Sequence, residues 1–431
     1  MKKWTFLALA VACAGPAWAQ SPKSEKDDDD TTSTVRLKLI NTYKSEHQMA
    51  ELFKRSMSEY FNDPQAPRFL LYDQKHEIAF GVGGYVRLRP AYDFNGSPTN
   101  SYGFVTNSIP APSNPASRSN FNMDASKSTV FFKLLGNNRK LGQFEAYVSG
   151  AFTGTNFGFE LNDAYVSVKG FLVGRTWSTF NDMAAMPPTI DSQGPSGAAF
   201  MRTTQIRYTR PFGKKKNWQA ALAVEMPQST ETYGTQVGEI NQNIPDIPVY
   251  LQYSWGKENA SHVRLSGVMR NQRYRDLLKE ENKTVTSFGG QFSTSVSVNK
   301  LLTLYGQVNY GKGITQYIND LAGEGLSLMP DPEKAGKMYA PETLGWLAHA
   351  QFNVTESVFL SAGYSQARFY PGDGYDAPDQ YRQGQYVVAN AFWNLNSMFQ
   401  LGAEYLWGSR ENLDGARGYA NCAQLLLQFN F

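Results

Sequence analysis

From His76 onward, apolar residues recur at every second position. In IAFGVGGYVRLRPAYDF (78–94) one face carries Ile78, Phe80, Val82, Val86, Leu88, Tyr92 and Phe94. The other carries Ala79, Tyr85, Arg87, Arg89, Ala91 and Asp93. The same rhythm returns in QFEAYVSGAF, WQAALAVEM, PVYLQYSW, HVRLSGVMR, LTLYGQVNY, LGWLAHAQF, YVVANAFWNL and FQLGAEYLW. It runs to the last residue, where Ala423, Leu425, Leu427 and Phe429 alternate with Gln424, Leu426, Gln428 and Asn430. A period of two is the signature of a strand with two unlike faces. The spacing predicts sixteen strands, near 76–94, 126–135, 141–153, 157–168, 171–177, 203–212, 217–227, 247–256, 261–274, 284–298, 301–312, 342–353, 356–369, 384–395, 398–409 and 418–431. Links alternate in length. Asn137 to Lys140, Lys169-Gly170 and Asn299-Lys300 are tight, whereas 95–125, 178–202, 228–246, 313–341 and 370–383 are long.

A closed cylinder explains this pattern. In hydrocarbon every backbone donor and acceptor needs a protein partner, so only helices or closed sheets can span. A closed sheet with lipid outside and water inside demands apolar-out, polar-in alternation, an even strand count and turns that are short on one side only. Aromatic residues near strand ends, such as Tyr253, Trp255, Tyr405 and Trp407, suit the two interfaces with water. A soluble sandwich also alternates, but it gives no reason for aromatics on the outward phase of so many strands. The fold expected is therefore all-β: a transmembrane 16-stranded antiparallel barrel over residues 67–431. Its last strand pairs with its first, because a free edge in lipid is forbidden.

The region before His76 reads differently. Lys2 and Lys3, an apolar run from Phe6 to Cys13, and Ala17-Trp18-Ala19 form a secretory signal, expected to span 1–19. Residues 20–44 include SPKSEKDDDDTT and read as a disordered acidic leader. Ser45 and Gln48 fit a capping box, and Met49, Leu52, Phe53, Met57, Tyr60 and Phe61 follow helical spacing. A short amphipathic helix is expected over 45–66, ended by Pro64 and Pro67. It has three open roles: packing on a partner copy, plugging the periplasmic mouth, or covering a hydrophobic edge.

Charge and cysteine then narrow the function. The chain has 41 Lys and Arg against 38 Asp and Glu, and the signal removes two of the lysines, so nucleic acid is not implied. Once Cys13 is gone Cys422 stands alone, which excludes an intramolecular disulfide. No His/Cys cluster has ligand spacing, so neither a metal nor another cofactor is expected. With the apolar phase outward, the inward cations are Arg87, Arg89, Lys133, Arg207, Arg264 and Arg270. The inward anions are Asp93, Glu145, Glu225 and Glu404. Fixed charge in a pore selects ions by sign, so a modest cation excess predicts an anion preference. Each arginine could equally brace the wall through a neighbouring carboxylate; Arg87 and Arg89, on one strand face, are the hardest to neutralise locally.

The stretch WSTFNDMAAMPPTIDSQGPSGAAFMR (177–202) follows the fifth strand and is rich in small residues and proline. Pro187 and Pro188 give a pre-set path with few amide donors to satisfy. That suits a loop folded into the lumen as a constriction, with Asp182 and Asp191 facing the arginines; the alternative is an ordinary exposed loop. Here GGYVRLRPAYDF, DAYVSVKGFLVGRTWSTFNDM and PTIDSQGPSGAAFMRTTQIRYTRPF resemble the DcaP-type trimeric outer-membrane porins, from about residue 64 to the end. The resemblance implies a homotrimeric channel in the outer membrane of a Gram-negative bacterium. It also implies a third loop that narrows each lumen and small anionic solutes, dicarboxylates among them, as cargo. Arg87, Arg89, Arg202 and Arg207 lie within the matching motifs.

The leading expectation is passive diffusion of small hydrophilic, preferentially anionic solutes, without enzymatic activity. A tethering or adhesion protein that uses the barrel as an anchor stays open. An outer-membrane hydrolase needs a serine–histidine pair oriented by a third group. The four histidines are His47, His76, His262 and His349; the last two face inward without a serine motif beside them.

Overall fold

The computed structural model describes residues 37–39, 53 and 56–431, apart from short breaks at 74–77, 97, 101–102, 139, 141, 229 and 258–259. The signal expected at 1–19 and nearly all of the leader expected at 20–44 lie outside the described residues. Sixteen antiparallel strands form one closed cylinder. In chain order they are β1 Ile78–Asn95, β2 Arg118–Asp124 continued by Thr129–Asn138, β3 Gly142–Gly154, β4 Gly158–Val168, β5 Phe171–Trp177 and β6 Arg202–Phe212. There follow β7 Trp218–Glu225, β8 Ile247–Trp255, β9 Ser261–Asp276, β10 Glu281–Ser297 and β11 Leu302–Lys312. The last five are β12 Glu342–Asn353, β13 Val358–Tyr370, β14 Tyr381–Asn394, β15 Phe399–Asn412 and β16 Arg417–Asn430.

Closure is made where the terminal alternation predicts it. In β16, Asn430 lies opposite Tyr85, Gln428 opposite Arg87 and Ala423 opposite Tyr92 of β1. The Phe431 N–H donates to the Gly84 carbonyl at 3.0 Å and the Gly84 N–H returns the bond at 3.1 Å. Below that point, Phe69–Asp73 takes over the same edge of β1, Phe69 opposite Val82 and Asp73 opposite Ile78. The backbone of Leu37–Leu39 pairs in turn with Phe69–Leu71. No described part of β1 is left as a free edge toward lipid, which meets the demand of hydrocarbon for paired backbone.

The two phases of each strand meet different surroundings. Val86, Phe94, Leu265, Phe288 and Leu425 face outward and are half or more exposed. Arg87, Arg89, Lys133, Gln291, Ser293 and Gln428 point inward and are buried. The second strand begins earlier than its pattern suggests. Arg118–Asp124 pairs with the upper part of β1, and a turn at 125–128 separates it from Thr129–Asn138. Asp124 holds that turn by accepting the Ser126 N–H at 3.3 Å and its hydroxyl at 3.0 Å, and such a break disguises one strand as a loop.

Residues 56–66 correct the helix expectation. They form turns, bends and irregular chain, and the first part of the proposed helix, 45–55, lies outside the described residues save for Phe53, which is helical. The apolar spacing of Tyr60 and Phe61 has another cause. Tyr60 packs edge-on against Trp177 and Phe200, whereas Phe61 packs against Phe359 and Phe392 on another part of the wall. Adjacent residues that bury in different directions cannot share one helix face.

Candidate functional site

The cylinder is wide enough to hold water, so what enters it decides what passes. The segment 178–201 lies inside, held to the wall by buried carboxylates. At its start, the Ser178 hydroxyl and Thr179 N–H donate to Glu225 at 2.8 and 2.7 Å. Further on, the Ile190 and Asp191 N–H groups both donate to Glu404 at 2.8 Å, as do Asn390 at 2.8 Å and Gln424 at 2.7 Å. Pro187 and Pro188 are buried between these anchors, and the Pro188 carbonyl accepts from the Asn390 amide at 3.0 Å. Proline brings no N–H into this buried stretch, which leaves fewer donors to satisfy.

At Gly197 the loop touches the wall backbone to backbone. A Cβ there would lie 2.1 Å from the Gln366 carbonyl oxygen and 2.5 Å from the Trp346 nitrogen, and one on Gly345 would lie 2.4 Å from the Gly197 oxygen. Only glycine permits that approach.

The two loop acids sit in unlike places. Asp182 meets His262 Nε2 at 2.8 Å, accepts the Ser293 hydroxyl at 2.6 Å and lies 3.6 Å from Arg264. Burial pushes its carboxyl up, but Arg264, His262 and Ser293 outweigh that and hold it below the usual range. Asp191 accepts the N–H groups of Phe104 (2.8 Å), Gly194 (3.1 Å) and Gln193 (3.2 Å) and the Tyr386 hydroxyl (3.0 Å). Burial dominates there and raises it to about 6, against the opposing pull of these donors and of Arg89.

The wall cations fall into two groups. Lys133 pairs with Glu145 at 3.1 Å, Arg270 with Asp246 at 3.0 Å, and Arg264 with Asp182. Arg202, at the end of β6 and out of phase with the inward set, still turns into the lumen. It lies 3.6 Å over the Trp177 ring and pairs with Asp63 at 3.0 Å and Asp163 at 3.3 Å. These four brace structure. Arg87 instead donates to neutral partners, Gln428 at 2.7 Å and Asn62 at 3.1 Å. Arg89 donates through one Nη to the Asn100 carbonyl, and its Nε and other Nη have no protein partner. Arg207 likewise keeps an unpartnered, buried Nε. Among the described residues, Arg87, Arg89 and Arg207 thus hold positive charge that no carboxylate in hydrogen-bond range cancels.

Two further segments enter the lumen; the sequence reading treats the first only as a long link and offers plugging of the periplasmic mouth as one of three roles for the second. The long segment 313–341 also enters the bore: Ile314, Tyr317, Ile318, Leu321 and Leu326 pack with Phe180 and Met201 of the third loop. Its Asp320 accepts from Thr106 at 2.6 Å, the Asn107 N–H at 3.1 Å and Tyr381 at 2.5 Å, which ties the first long loop to the same plug. Its apolar content was the available signal, because an exposed loop has no use for so many large aliphatics.

From the other end, residues 56–67 lie within the lumen. Asn62 donates to the Thr189 carbonyl at 3.2 Å, and Trp177 Nε1 donates to Asp63 at 3.1 Å. The barrel is occupied from both mouths. A cavity of about 250 Å³ remains between the insert and the wall, lined by Lys133, Tyr147, Tyr165 and Arg207 among others, and one of about 80 Å³ is bordered by Arg87, Lys127 and Arg202 and by Ser192 and Phe200 of the third loop.

Ser293, Asp182 and His262 do not form a hydrolytic centre. The serine and the imidazole both bond Asp182 Oδ2, so the hydroxyl proton points to a carboxylate held strongly acidic and not to the base that a nucleophile needs. His349 lies edge-on to Tyr305, and its Nε2 has no protein partner.

The sequence model of the DcaP outer membrane protein family matches residues 70–431. The chain belongs to this family. Among solved structures, this DcaP-family barrel is similar to the outer membrane channel DcaP of Acinetobacter baumannii. That likeness has a TM-score of 0.71 and 18% identity, and covers 83% of this chain and 99% of that one. It is also similar to an anion-selective porin from Comamonas acidovorans (TM-score 0.53, 12% identity, 82% and 100% covered). A third is the Salmonella typhi OmpF complex with daunomycin (TM-score 0.53, 10% identity, 84% and 100% covered). At such identities these structures establish the fold alone. No curated protein matches the chain in sequence. The DcaP-family protein is a porin of the Gram-negative outer membrane.

Proposed function

We propose that this porin mediates passive diffusion of small hydrophilic solutes with a preference for anions, dicarboxylates in particular. Arg87 and Arg89 carry this reading. They sit two residues apart on the inner face of β1, both are buried, and both take neutral partners where Lys133, Arg202, Arg264 and Arg270 take carboxylates. A low-dielectric wall strengthens the field of such charges, and weak, repeated binding to cations lets an anion both enter and leave. Arg207 adds to that field, whereas Arg202, Arg264, Arg270 and Lys133 mainly shape the path. Asp182 and Asp191 keep the third loop seated, and Pro187 and Pro188 let it lie buried at low cost in unpaired donors. We further propose export by the 1–19 signal and assembly as a homotrimer, as in the family it resembles.

Influx into proteoliposomes tests the solute preference. Succinate is expected to enter faster than an uncharged solute of similar size, and a dication of that size slowest. Faster entry of the dication would overturn the anion preference and leave the pore itself standing.

A further inference from the structure

The segment that enters from the periplasmic end places a carboxylate where an anionic solute would sit. Asp63 Oδ1 lies 3.0 Å from Arg202 Nη2, and its other oxygen accepts the Trp177 indole N–H at 3.1 Å. The guanidinium carbon lies over that indole, 3.6 Å from its centroid. Two donors on one carboxylate, backed by an aromatic face, is how a protein binds a free carboxylate ion. Asp63 and Trp177 border both the 250 Å³ and the 80 Å³ cavity, so the segment is the partition between them. Asn62 beside it takes an Arg87 N–H on its side-chain oxygen, and Lys133 donates to the Ser56 carbonyl. The segment therefore gives its own oxygens to three lumen cations, of which Arg202 and Lys133 also hold a wall carboxylate, Asp163 and Glu145.

Its attachment is that of a tether. Pro67 and Phe53 pack over Gly81 near the rim, Arg68 donates to the Ser397 carbonyl in a periplasmic turn, and the chain then continues as the edge strand Phe69–Asp73. Leaving the lumen would break the polar bonds of Asn62 and Asp63 and the ring contacts of Tyr60 and Phe61, but no strand pairing of the sixteen-stranded wall.

We infer that Asp63 is an internal ligand: residues 56–67 close the bore by occupying a carboxylate site built from Arg202 and Trp177, and an incoming carboxylate opens it by competition. The inference rests on the anion reading above for its ligand class. A tethered carboxylate acts at millimolar effective concentration, so free solute at comparable concentration can displace it. Once the segment leaves, the two cavities merge and Arg87, Arg202 and Lys133 face the solute together.

The test uses the full-length protein in planar bilayers, with succinate added on the periplasmic side. Wild type is expected to open more often as succinate rises through the millimolar range, and an uncharged analogue is expected to change nothing. Asp63→Asn should open about tenfold more often without succinate, because a charge-assisted bond is gone, and should lose the succinate dependence. Asp63→Glu, which restores the carboxylate, should behave as wild type. A wild-type opening rate indifferent to succinate overturns the inference without any variant, as does an Asp63→Asn channel that opens no more often than wild type. The zero-current potential in a KCl gradient, read on the same membranes, separates the two proposals. If it lies on the anion side while succinate does nothing, the internal ligand falls and the porin reading stands. A cation-side potential instead strikes the anion preference.

Discussion

The third loop and the periplasmic insert both lie inside the same cylinder, but they are held by different physics. The loop is anchored by carboxylates of the wall that accept its backbone N–H groups, Glu225 at its start and Glu404 at its second turn. Between those points it is sealed by apolar contact with Ile314, Tyr317 and Ile318 from the long link 313–341. The insert offers its own side chains to wall cations, keeps water-sized space on both faces, and is continued by the edge strand Phe69–Asp73. Backbone amides fixed by buried acids cannot be released without orphaning both sides, which costs about 1–3 kcal/mol for each group left unsatisfied. A side-chain carboxylate can be exchanged for that of a solute. The loop is therefore part of the wall, and the insert behaves as an occupant.

Substitutions can break that contrast. The largest effect is expected at Asp246, which pairs with Arg270 and accepts the Tyr317 hydroxyl at 3.1 Å, so that two outer loops are joined to β9. Asp246→Ala strands a fully buried guanidinium and should cost about 3–5 kcal/mol, seen as a lower temperature for loss of the compact, heat-modifiable band. Glu404→Gln comes next. All four partners of Glu404 are donors, so an amide group must face N–H against N–H at a cost of about 1–3 kcal/mol. Single-channel conductance should rise as the loop loses its seat. Phe61→Ala should leave the melting of the barrel closer to wild type than either, while openings become longer because the insert loses its apolar hold against Phe359 and Phe392.

The smallest predicted effect depends on pH. The Asp191 carboxyl stands at about 6 in the folded protein, above its ordinary 3.8. A raised carboxylate binds its proton more tightly when folded, so its contribution to stability is full below pH 3.8 and is lost as pH rises through about 6. Asp182 has the opposite sign. It is depressed below 3.8, and its contribution is lost only under stronger acid. Between pH 7 and 5, then, the third loop should seat more firmly. A neutral Asp191 also stops offsetting Arg89, so anion preference should increase over the same range. The zero-current potential at the two pH values measures this, and Asp191→Asn should shrink the difference.

Much of the wall was readable because lipid outside and water inside impose one rule on every strand. Val86 against Arg87, and Leu427 against Gln428, alternate for that reason alone, and each predicted strand has its counterpart. The interior followed no such rule. Tyr60 and Phe61 had helical spacing because they bury against different walls, a contact between residues far apart in the chain that local pattern cannot encode. The turn at 125–128 hid the upper half of β2. The plug formed by 313–341 was legible in its aliphatic content, but length alone marked it as an outer loop. Among the cations, alternation told which residues point inward. Which of them a carboxylate neutralises depends on pairing across the bore, as between Arg202 and Asp63.

The central claim is that the arginines on β1, which hydrogen-bond no carboxylate among the described residues, set the sign of what passes. The zero-current potential of the wild-type channel in a KCl gradient, beside that of the Arg87→Gln/Arg89→Gln double variant, tests it most directly. The wild type should lie on the anion side and the variant should move toward zero with its conductance retained. A wild-type potential on the cation side, or a variant that keeps the full anion potential, would contradict it.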